Sequence, residues 1–368
     1  MKDNSDKKKK IIIVAGGSGG HIFPAIAVID ELIKSSYEIL MITDKRGLSF
    51  KNLFPDITIR VVKSDTPFGK NKLKKIIFLF KIILGFFQSV WILLNFSPKL
   101  IIGFGGYPSF PPIIIAYLLR IPIIIHEQNL VMGRANLFLA NLARKIAVSH
   151  KDTKNFPFKY INKVSFTGNP IRKEICKLRS ISPPSYEYKN FFNILVFGGS
   201  QGASIFSDLI PQSLSLLKKS LRLNINIVQQ AVKEDLVSLK ETYNNLSISA
   251  KVETFFENLP VHISEADMII SRAGATSIDE FRIIGKPSIL IPLSHSIDND
   301  QYINAKKMEC DGASFLIEEK DLNKKFLSDK INYFYENREV LTKMSLAAYK
   351  TGNVNAAKNI ANLILTYY

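Results

Sequence analysis

The sequence predicts an α/β protein built from two doubly wound, parallel-sheet domains, and three observations carry that prediction. Residues 11–14 (IIIV) form an unbroken β-branched run, the pattern of a strand buried on both faces as in parallel sheets. A glycine-rich turn follows at 16–20 (GGSGG), and then apolar residues at helical spacing: Ala25, Val28, Ile29 and Leu32. The same strand–GGS–helix unit returns 182 residues later, where FNILVF (192–197) runs into GGSQGA (198–203). Each copy opens a run of alternating strands and helices, which predicts two similar domains facing a common cleft. At 368 residues the chain exceeds one ordinary core.

Taken in order, residues 1–10 (MKDNSDKKKK) read as a solvated basic tail without the separate apolar region of a signal peptide. In the first glycine turn the backbone can approach a phosphate, and the following helix N-terminus supplies N–H donors and partial positive charge. His21 stands at the mouth of that turn, in reach of a substrate hydroxyl. A plain tight turn with an exposed histidine fits the same residues. Strands are expected at 38–43 and 57–62.

Residues 70–96 are the most ambiguous stretch. Lys70, Lys72, Lys74 and Lys75 open it, and 76–96 then runs 21 residues with Lys81 as the single charge. That length can span a bilayer. A strand at 100–104 follows at once, however, and a span would cut the sheet in two. The reading is a helix packed on the sheet, with an outer face of Phe, Ile and Trp91 beside lysines, lying on an anionic leaflet. An ordinary buried crossover helix is the alternative.

A second glycine-rich turn, GFGGYPSFPP (103–112), ends that strand. The next strand, 121–125, runs into HEQN (126–129), polar residues at a strand's carboxyl end where open α/β sheets bind ligands. His126 and Glu127 either order this loop as a hydrogen-bonded pair or touch the ligand. Asn136 begins a helix, strands follow at 145–148 and 164–168, and GNPIR (168–172) closes the first half. The polar stretch 177–190, with Pro183 and Pro184, reads as a linker. The boundaries are thus 11–176, a linker at 177–190, 191–352, and a final amphipathic helix at 353–368 that crosses back to brace the first domain.

In the second half, strands are expected at 192–197, 225–230, 250–256, 268–271 and 288–292. The fourth leads into SRAGATSIDE (271–280), with Thr276 or Ser277 as helix cap and Glu280 as its capping-box partner. Asp298 and Asp300 imitate a metal-binding DxD too briefly to predict a metal, and a helix starts at 302. Hydrophobic content of 46% and charged content of 22% are those of a globular chain. The net charge of +17 calls for an anionic partner: nucleic acid, an anionic membrane or phosphorylated substrates. No basic–aromatic RNA motif or helix-turn-helix spacing supports nucleic acid. The two cysteines, Cys176 and Cys310, lie far apart, which suits a reducing compartment and neither a disulfide framework nor a zinc site.

Together GGSGGH, GFGGYPSFPP, HEQN, GNPIR, GGSQGA and SRAGATSIDE, in this order and spacing, resemble the MurG family from residue 11 to about residue 361. That family transfers N-acetylglucosamine (GlcNAc) from UDP-GlcNAc to lipid I, making lipid II for bacterial peptidoglycan. The resemblance implies a GT-B fold of two Rossmann-like domains, acceptor in the first and donor in the second, with no cofactor and no obligatory metal. It makes His21 the general base that deprotonates the C4 hydroxyl of N-acetylmuramic acid as that oxygen attacks the anomeric carbon with inversion. An ordinary imidazole pKa of ~6.5 suits that role.

The resemblance assigns the donor to Ser18, Gly19, Gly20, Asn129, Arg172, Ser200, Gln201, Gly202, Phe256, Ala275, Thr276, Ser277, Glu280 and Gln301. It assigns the acceptor to Gly105, Gly106, Tyr107, His126, Glu127 and Asn136. The loops at 18–20 and 105–107 also match those that hold the lipid diphosphate. Partners implied are UDP-GlcNAc, lipid I, the anionic inner-membrane surface at its cytoplasmic face, and other cell-wall synthesis and division proteins, but no nucleic acid. Serine 18 stands where the family often has threonine, and no role passes to Ser207, where it often has asparagine. A diacylglycerol glucosyltransferase, which shares the second-domain motif, is the alternative reading.

Overall fold

The fold is taken from a computed structural model that describes residues 9–35, 37–54, 56–65, 72–187, 191–199 and 202–367. Side chains at 72–78 are outside that description, so the expected Lys70, Lys72, Lys74 and Lys75 cluster lies beyond it, as do residues 1–8, Ser200 and Gln201. The chain forms two compact units, one of residues up to Arg172 together with Val354–Tyr368, the other Lys173–Asn353.

The first unit contains β1 (Lys10–Val14), α1 (Gly19–Ile33), β2 (Glu38–Thr43), β3 (Thr58–Val61), α2 (Lys72–Phe96), β4 (Leu100–Gly103), α3 (Phe110–Leu118), β5 (Ile123–Glu127), α4 (Arg134–Leu139), β6 (Lys145–Val148) and β7 (Val164–Phe166). All seven strands are parallel, in the order β3-β2-β1-β4-β5-β6-β7. Alternation explains why the buried residues of the central strands are apolar on both faces. Ile11, Ile13, Ile39, Met41 and Ile102 enter one core layer with α1, while Ile12, Val14, Leu40, Ile42 and Ile101 enter the other with α2 and α3.

The second unit contains α5 (Lys173–Lys177), β8 (Phe192–Phe197), α6 (Ser204–Ser215), α7 (Lys219–Arg222), β9 (Ile225–Gln230), α8 (Leu236–Asn245), β10 (Ser249–Glu253), α9 (Leu259–Glu265), β11 (Met268–Ser271), α10 (Ala275–Ile284), β12 (Ser288–Leu290), α11 (Asp300–Cys310), β13 (Ser314–Leu316), α12 (Lys324–Glu336) and α13 (Arg338–Thr351). Its parallel sheet has the order β10-β9-β8-β11-β12-β13. The last helix, α14 (Ala356–Leu365), belongs to the first unit, where Ile360, Ala361 and Ile364 join the α1 core layer and Asn359 Nδ2 donates to the Thr167 carbonyl at 3.0 Å.

Several expectations shift. The linker reading of 177–190 gives way over 178–187 to a strap packed on the second unit. The Arg179 guanidinium donates to the carbonyls of Ile283 (2.6 Å) and Tyr349 (2.9 Å), Tyr186 is buried, and Ser345 Oγ donates to the Pro184 carbonyl. These bonds satisfy polar backbone that a free linker would leave to water. The fifth strand starts and ends two residues later than expected, so His126 and Glu127 are its last members and both are buried. Gly274, not Thr276 or Ser277, is the N-cap of α10, and no side chain caps it. Helix α4 begins at Arg134, ahead of Asn136.

Among the described residues one helix is long and apolar enough to cross a membrane, over Leu79–Phe96, yet β4 follows it directly into the middle of the sheet. Only 22% of that stretch is buried, which excludes an ordinary core helix. Ser89, Ile92 and Leu93 pack inward, while Phe80, Ile83, Phe87, Trp91 and Leu94 form an exposed stripe at helical spacing.

Candidate active site

In both sheets the strand order reverses beside the first strand, between β1 and β4 and again between β8 and β11. Ligands bind open α/β sheets at such switch points, at the carboxyl ends of the strands. All four strands end in the glycine or small-residue turns singled out by the sequence: 16–20, 103–107, 198–203 and 272–276. Three of the turns run directly into helix N-termini, of α1, α6 and α10, whose first N–H groups and dipoles favour an anion.

In the first unit the two turns interlock. The Gly16 N–H donates to the Gly105 carbonyl at 3.0 Å, and a Cβ on Gly106 would stand 2.8 Å from the Gly16 Cα. Gly105 and Gly106 have φ of +89° and +79°, so only glycine lets this turn fold without strain. Ser18 is the N-cap of α1, with no side-chain bond to the helix; Gly19 is buried and Gly20 exposed. Tyr107 is half-buried beside them.

His21 is not the exposed histidine that its glycine-rich surroundings suggest. Its ring lies in the slot left by Gly16, Gly105 and Gly106, where added Cβ atoms would come within 3.4, 3.2 and 3.3 Å of ring carbons, and its Nδ1 is buried. Burial lowers its pKa below the ordinary histidine value of 6.5; the Phe104 carbonyl, Gln128 and Asp44 pull the other way without reversing it. The imidazole is therefore neutral at pH 7, the form that accepts a proton.

Glu127 and His126 do not pair with each other. Glu127 Oε1 accepts from the Asn129 N–H (3.0 Å) and Nδ2 (3.3 Å), and Oε2 accepts from the Gly133 N–H (2.9 Å) and Asn136 Nδ2 (2.8 Å). One carboxylate thus ties Asn129, Gly133 and Asn136 of the following loop together. Burial raises its pKa, and the four donors oppose the rise. His126 Nε2 donates to the Gly168 carbonyl at 3.2 Å, and burial lowers its pKa to about 4.

That shift has a stability consequence. Between pH 6.5 and about 4 the unfolded chain binds a proton at His126 that the folded chain refuses, so the contribution present above pH 6.5 is lost as pH falls. The loss is about 3 kcal/mol at the acid end. Urea titrations from pH 7 to pH 4 should show it, with a shallower dependence in His126→Gln; identical slopes would remove His126 as the cause.

Asn129 is half-buried, Asn136 buried, and the Arg172 guanidinium stacks over the Phe23 ring at 4.3 Å.

In the second unit, Gly199 and Gly202 take positive φ, and the Gly202 N–H closes the turn on the Gly199 carbonyl at 3.1 Å. Ala275, Thr276 and Ser277 form the first turn of α10, and Glu280 is buried one turn on. Gln301 Oε1 accepts from the N–H groups of Ala273 (3.3 Å) and Leu293 (3.1 Å), tying the ends of β11 and β12 together. Phe256 is buried, edge-on against His262 at 5.1 Å.

Two groups escape sequence reasoning. Arg272 pairs with Glu319 at 2.6 Å and donates to the Ile291 carbonyl at 3.1 Å, bracing the β11 turn; 47 positions separate the pair, and no local pattern joins them. Gln128 lies inside HEQN, and its Nε2 donates to the Phe104 carbonyl at 2.7 Å.

The two switch-point sites, with helix N-termini that favour an anion, suit ligands that carry phosphate. Residues 11–148 match the glycosyltransferase family 28 N-terminal domain, and residues 193–364 match the family 28 C-terminal domain. Relatives named UDP-N-acetylglucosamine–N-acetylmuramyl-(pentapeptide) pyrophosphoryl-undecaprenol N-acetylglucosamine transferase are similar over nearly the whole chain. The Rickettsia bellii protein is 41% identical (94% of this chain, 96% of that one), and the Zymomonas mobilis protein 36% (94% and 89%). The solved Acinetobacter baumannii MurG is 27% identical, with a TM-score of 0.77 over 97% of this chain and 99% of that one. The chain belongs to the MurG family and has the two parallel-sheet domains of the GT-B fold.

Proposed function

We propose that this chain moves GlcNAc from UDP-GlcNAc to the C4 hydroxyl of N-acetylmuramic acid in lipid I, yielding lipid II. The observation that carries the reading is the repeated switch point, each flanked by glycine turns and anion-favouring helix N-termini, in a chain whose relatives bear that transferase name. The first unit takes the acceptor and the second the donor. As the C4 oxygen attacks the anomeric carbon, its proton passes to His21, the bond to the UDP oxygen breaks, and the α-linkage becomes β. The N-termini of α6 and α10 meet the charge that develops on the departing diphosphate, which a fixed dipole does without reorganisation. This chemistry runs without a metal step.

The test is transfer of radiolabelled GlcNAc, in EDTA, to a short-chain lipid I analogue and in parallel to diacylglycerol. Product from lipid I alone is the expected result. Transfer only to diacylglycerol would overturn the acceptor, and activity restored by added divalent cation would overturn the metal-free step.

The acceptor is a membrane lipid, and the exposed stripe of α2 gives the chain a way to sit on the cytoplasmic membrane face as a peripheral protein. Phe80, Phe87 and Trp91 are 62%, 70% and 61% exposed, an expense that burial in a leaflet recovers. A Phe87→Asp/Trp91→Asp protein should bind anionic vesicles roughly tenfold more weakly or worse. Reversing the charges of Lys72, Lys74 and Lys75 should weaken binding further and make it insensitive to salt. Vesicle sedimentation unchanged by both sets would remove α2 as the attachment surface.

A further inference from the structure

We infer that Glu319 is a positioning residue for the donor: by holding the Arg272 guanidinium it fixes the turn 272–274, and with it the N-terminus of α10 that receives the diphosphate of UDP-GlcNAc. The inference rests on the donor reading of the second unit, in which all of these residues lie. Glu319 stands in a single short turn (Glu319–Asp321) after β13, outside every motif singled out by the sequence. Its Oε1 meets Arg272 Nη1 at 2.6 Å, and its Oε2 accepts from the Ser294 N–H at 3.0 Å. Arg272 Nη1 also donates to the carbonyls of Ile291 (3.1 Å) and Pro292 (3.4 Å). One carboxylate thus joins the turn after β11 to the loop after β12. The two charged side chains are only 11% and 18% exposed, so water screens the pair little.

The turn braced in this way has its backbone committed to the protein. The Arg272 N–H donates to the Phe197 carbonyl at 3.3 Å, and the Arg272 carbonyl accepts from Ser271 Oγ at 2.8 Å. The Ala273 N–H goes to Gln301 Oε1 (3.3 Å) and the Ala273 carbonyl to Asn304 Nδ2 (3.4 Å), while the Gly274 carbonyl accepts from the Ile278 N–H (3.0 Å). The Gly274 and Ala275 N–H groups have no partner among the described residues, and these are the donors that a helix N-terminus offers an anion. The guanidinium lies 5.3 Å from the ring of Phe206, in the first turn of α6, so Arg272 touches both helix ends assigned to the diphosphate. Its charge-assisted contact with Glu319 keeps it bound to protein and leaves the phosphates to the backbone donors. Without the carboxylate a shielded cation loses its counter-charge, and the turn shifts as that cation seeks water or a new partner.

Calorimetric titration of the full chain with UDP tests this. Glu319→Gln keeps an acceptor for the Ser294 N–H and loses the charge that holds Arg272. It should bind UDP about tenfold more weakly, a penalty in keeping with a small displacement of a preorganised site. In transfer assays KM for UDP-GlcNAc should rise by a similar factor, with KM for the lipid I analogue within about twofold. A change that only weakened the fold would cut the active fraction, lowering kcat and the binding stoichiometry while leaving the affinity of the folded molecules alone. Because Glu319 acts through Arg272, the double variant Arg272→Gln/Glu319→Gln should bind UDP no more weakly than Arg272→Gln alone. Unchanged UDP affinity in Glu319→Gln, tighter binding by a released guanidinium, or additive losses in the double variant would each overturn the inference. A wild type with no affinity for UDP would remove the donor reading and the role of Glu319 with it. A wild type that binds UDP but does not glycosylate lipid I would overturn the acceptor alone, and the titrations would still decide the role of Glu319.

Discussion

Replacing His21 with alanine should lower kcat for GlcNAc transfer to lipid I by about 10²–10⁴-fold, the usual contribution of a positioned general base. Affinity for UDP, measured by calorimetry, should stay within about twofold, because His21 belongs to the first unit, whereas the helix N-termini proposed to hold the UDP diphosphate, those of α6 and α10, belong to the second. The size of the effect follows from where the ring sits. Its slot among Gly16, Gly105 and Gly106 fixes one orientation, and burial keeps it neutral at the pH at which it must accept a proton. The same burial sets the pH dependence. With a pKa below 6.5, the acidic limb of the wild-type rate should fall below pH 6.5 and the rate should be flat through pH 7–8. A mutant that keeps wild-type kcat would place the base elsewhere, and an acidic limb above pH 6.5 would mean that the imidazole works outside this buried setting.

The architecture was readable because almost every strand here is an apolar run closed by a glycine or polar turn, and because one strand–turn–helix unit occurs twice. The runs at 11–14, 38–43, 145–148, 192–197, 225–230 and 268–271 became β1, β2, β6, β8, β9 and β11 within one residue. The fifth strand was misplaced for a physical reason. His126 and Glu127 look like loop residues, but their polar atoms are bonded to the Gly168 carbonyl and to the 129–136 loop, so the strand carries them into the interior. Strand β13, three residues long, has no period to detect, and α12 and α13 were likewise not singled out. The strap at 178–187 looked free because its anchors, Arg179 to the Ile283 and Tyr349 carbonyls, join residues more than 100 positions apart. His21 shows the same limit: glycine-rich neighbours suggest exposure, and nothing local reveals that 103–107 folds over the ring. Motifs located the chemistry, but long-range closure decided how each residue is presented.

Glu127→Ala should be the most destabilising single change among the site residues, by about 3–5 kcal/mol, because it strips a buried acceptor from four donors at once. The thermal transition of the first unit should fall by about 6–15 °C at a few degrees per kcal/mol. Glu127→Gln separates the electrostatic part. Its carbonyl can still accept from the Asn129 pair, but its NH₂ then meets the Gly133 N–H and Asn136 Nδ2, donor against donor, so about 1–3 kcal/mol is the expected cost. The wild-type carboxyl adds its own pH term. Burial raises its pKa above 4.5, so the stability present below pH 4.5 is partly lost as pH rises through the folded value, opposite in sign to the His126 term. Removing Glu127 should therefore steepen the rise in stability between pH 4.5 and 6.5, whereas removing His126 should flatten it. Scanning calorimetry of the two variants across that range distinguishes them. A Glu127→Ala protein that melts with the wild type would mean that the 129–136 loop is held by something other than this carboxylate, and the acceptor side of the first unit would have to be rebuilt without it.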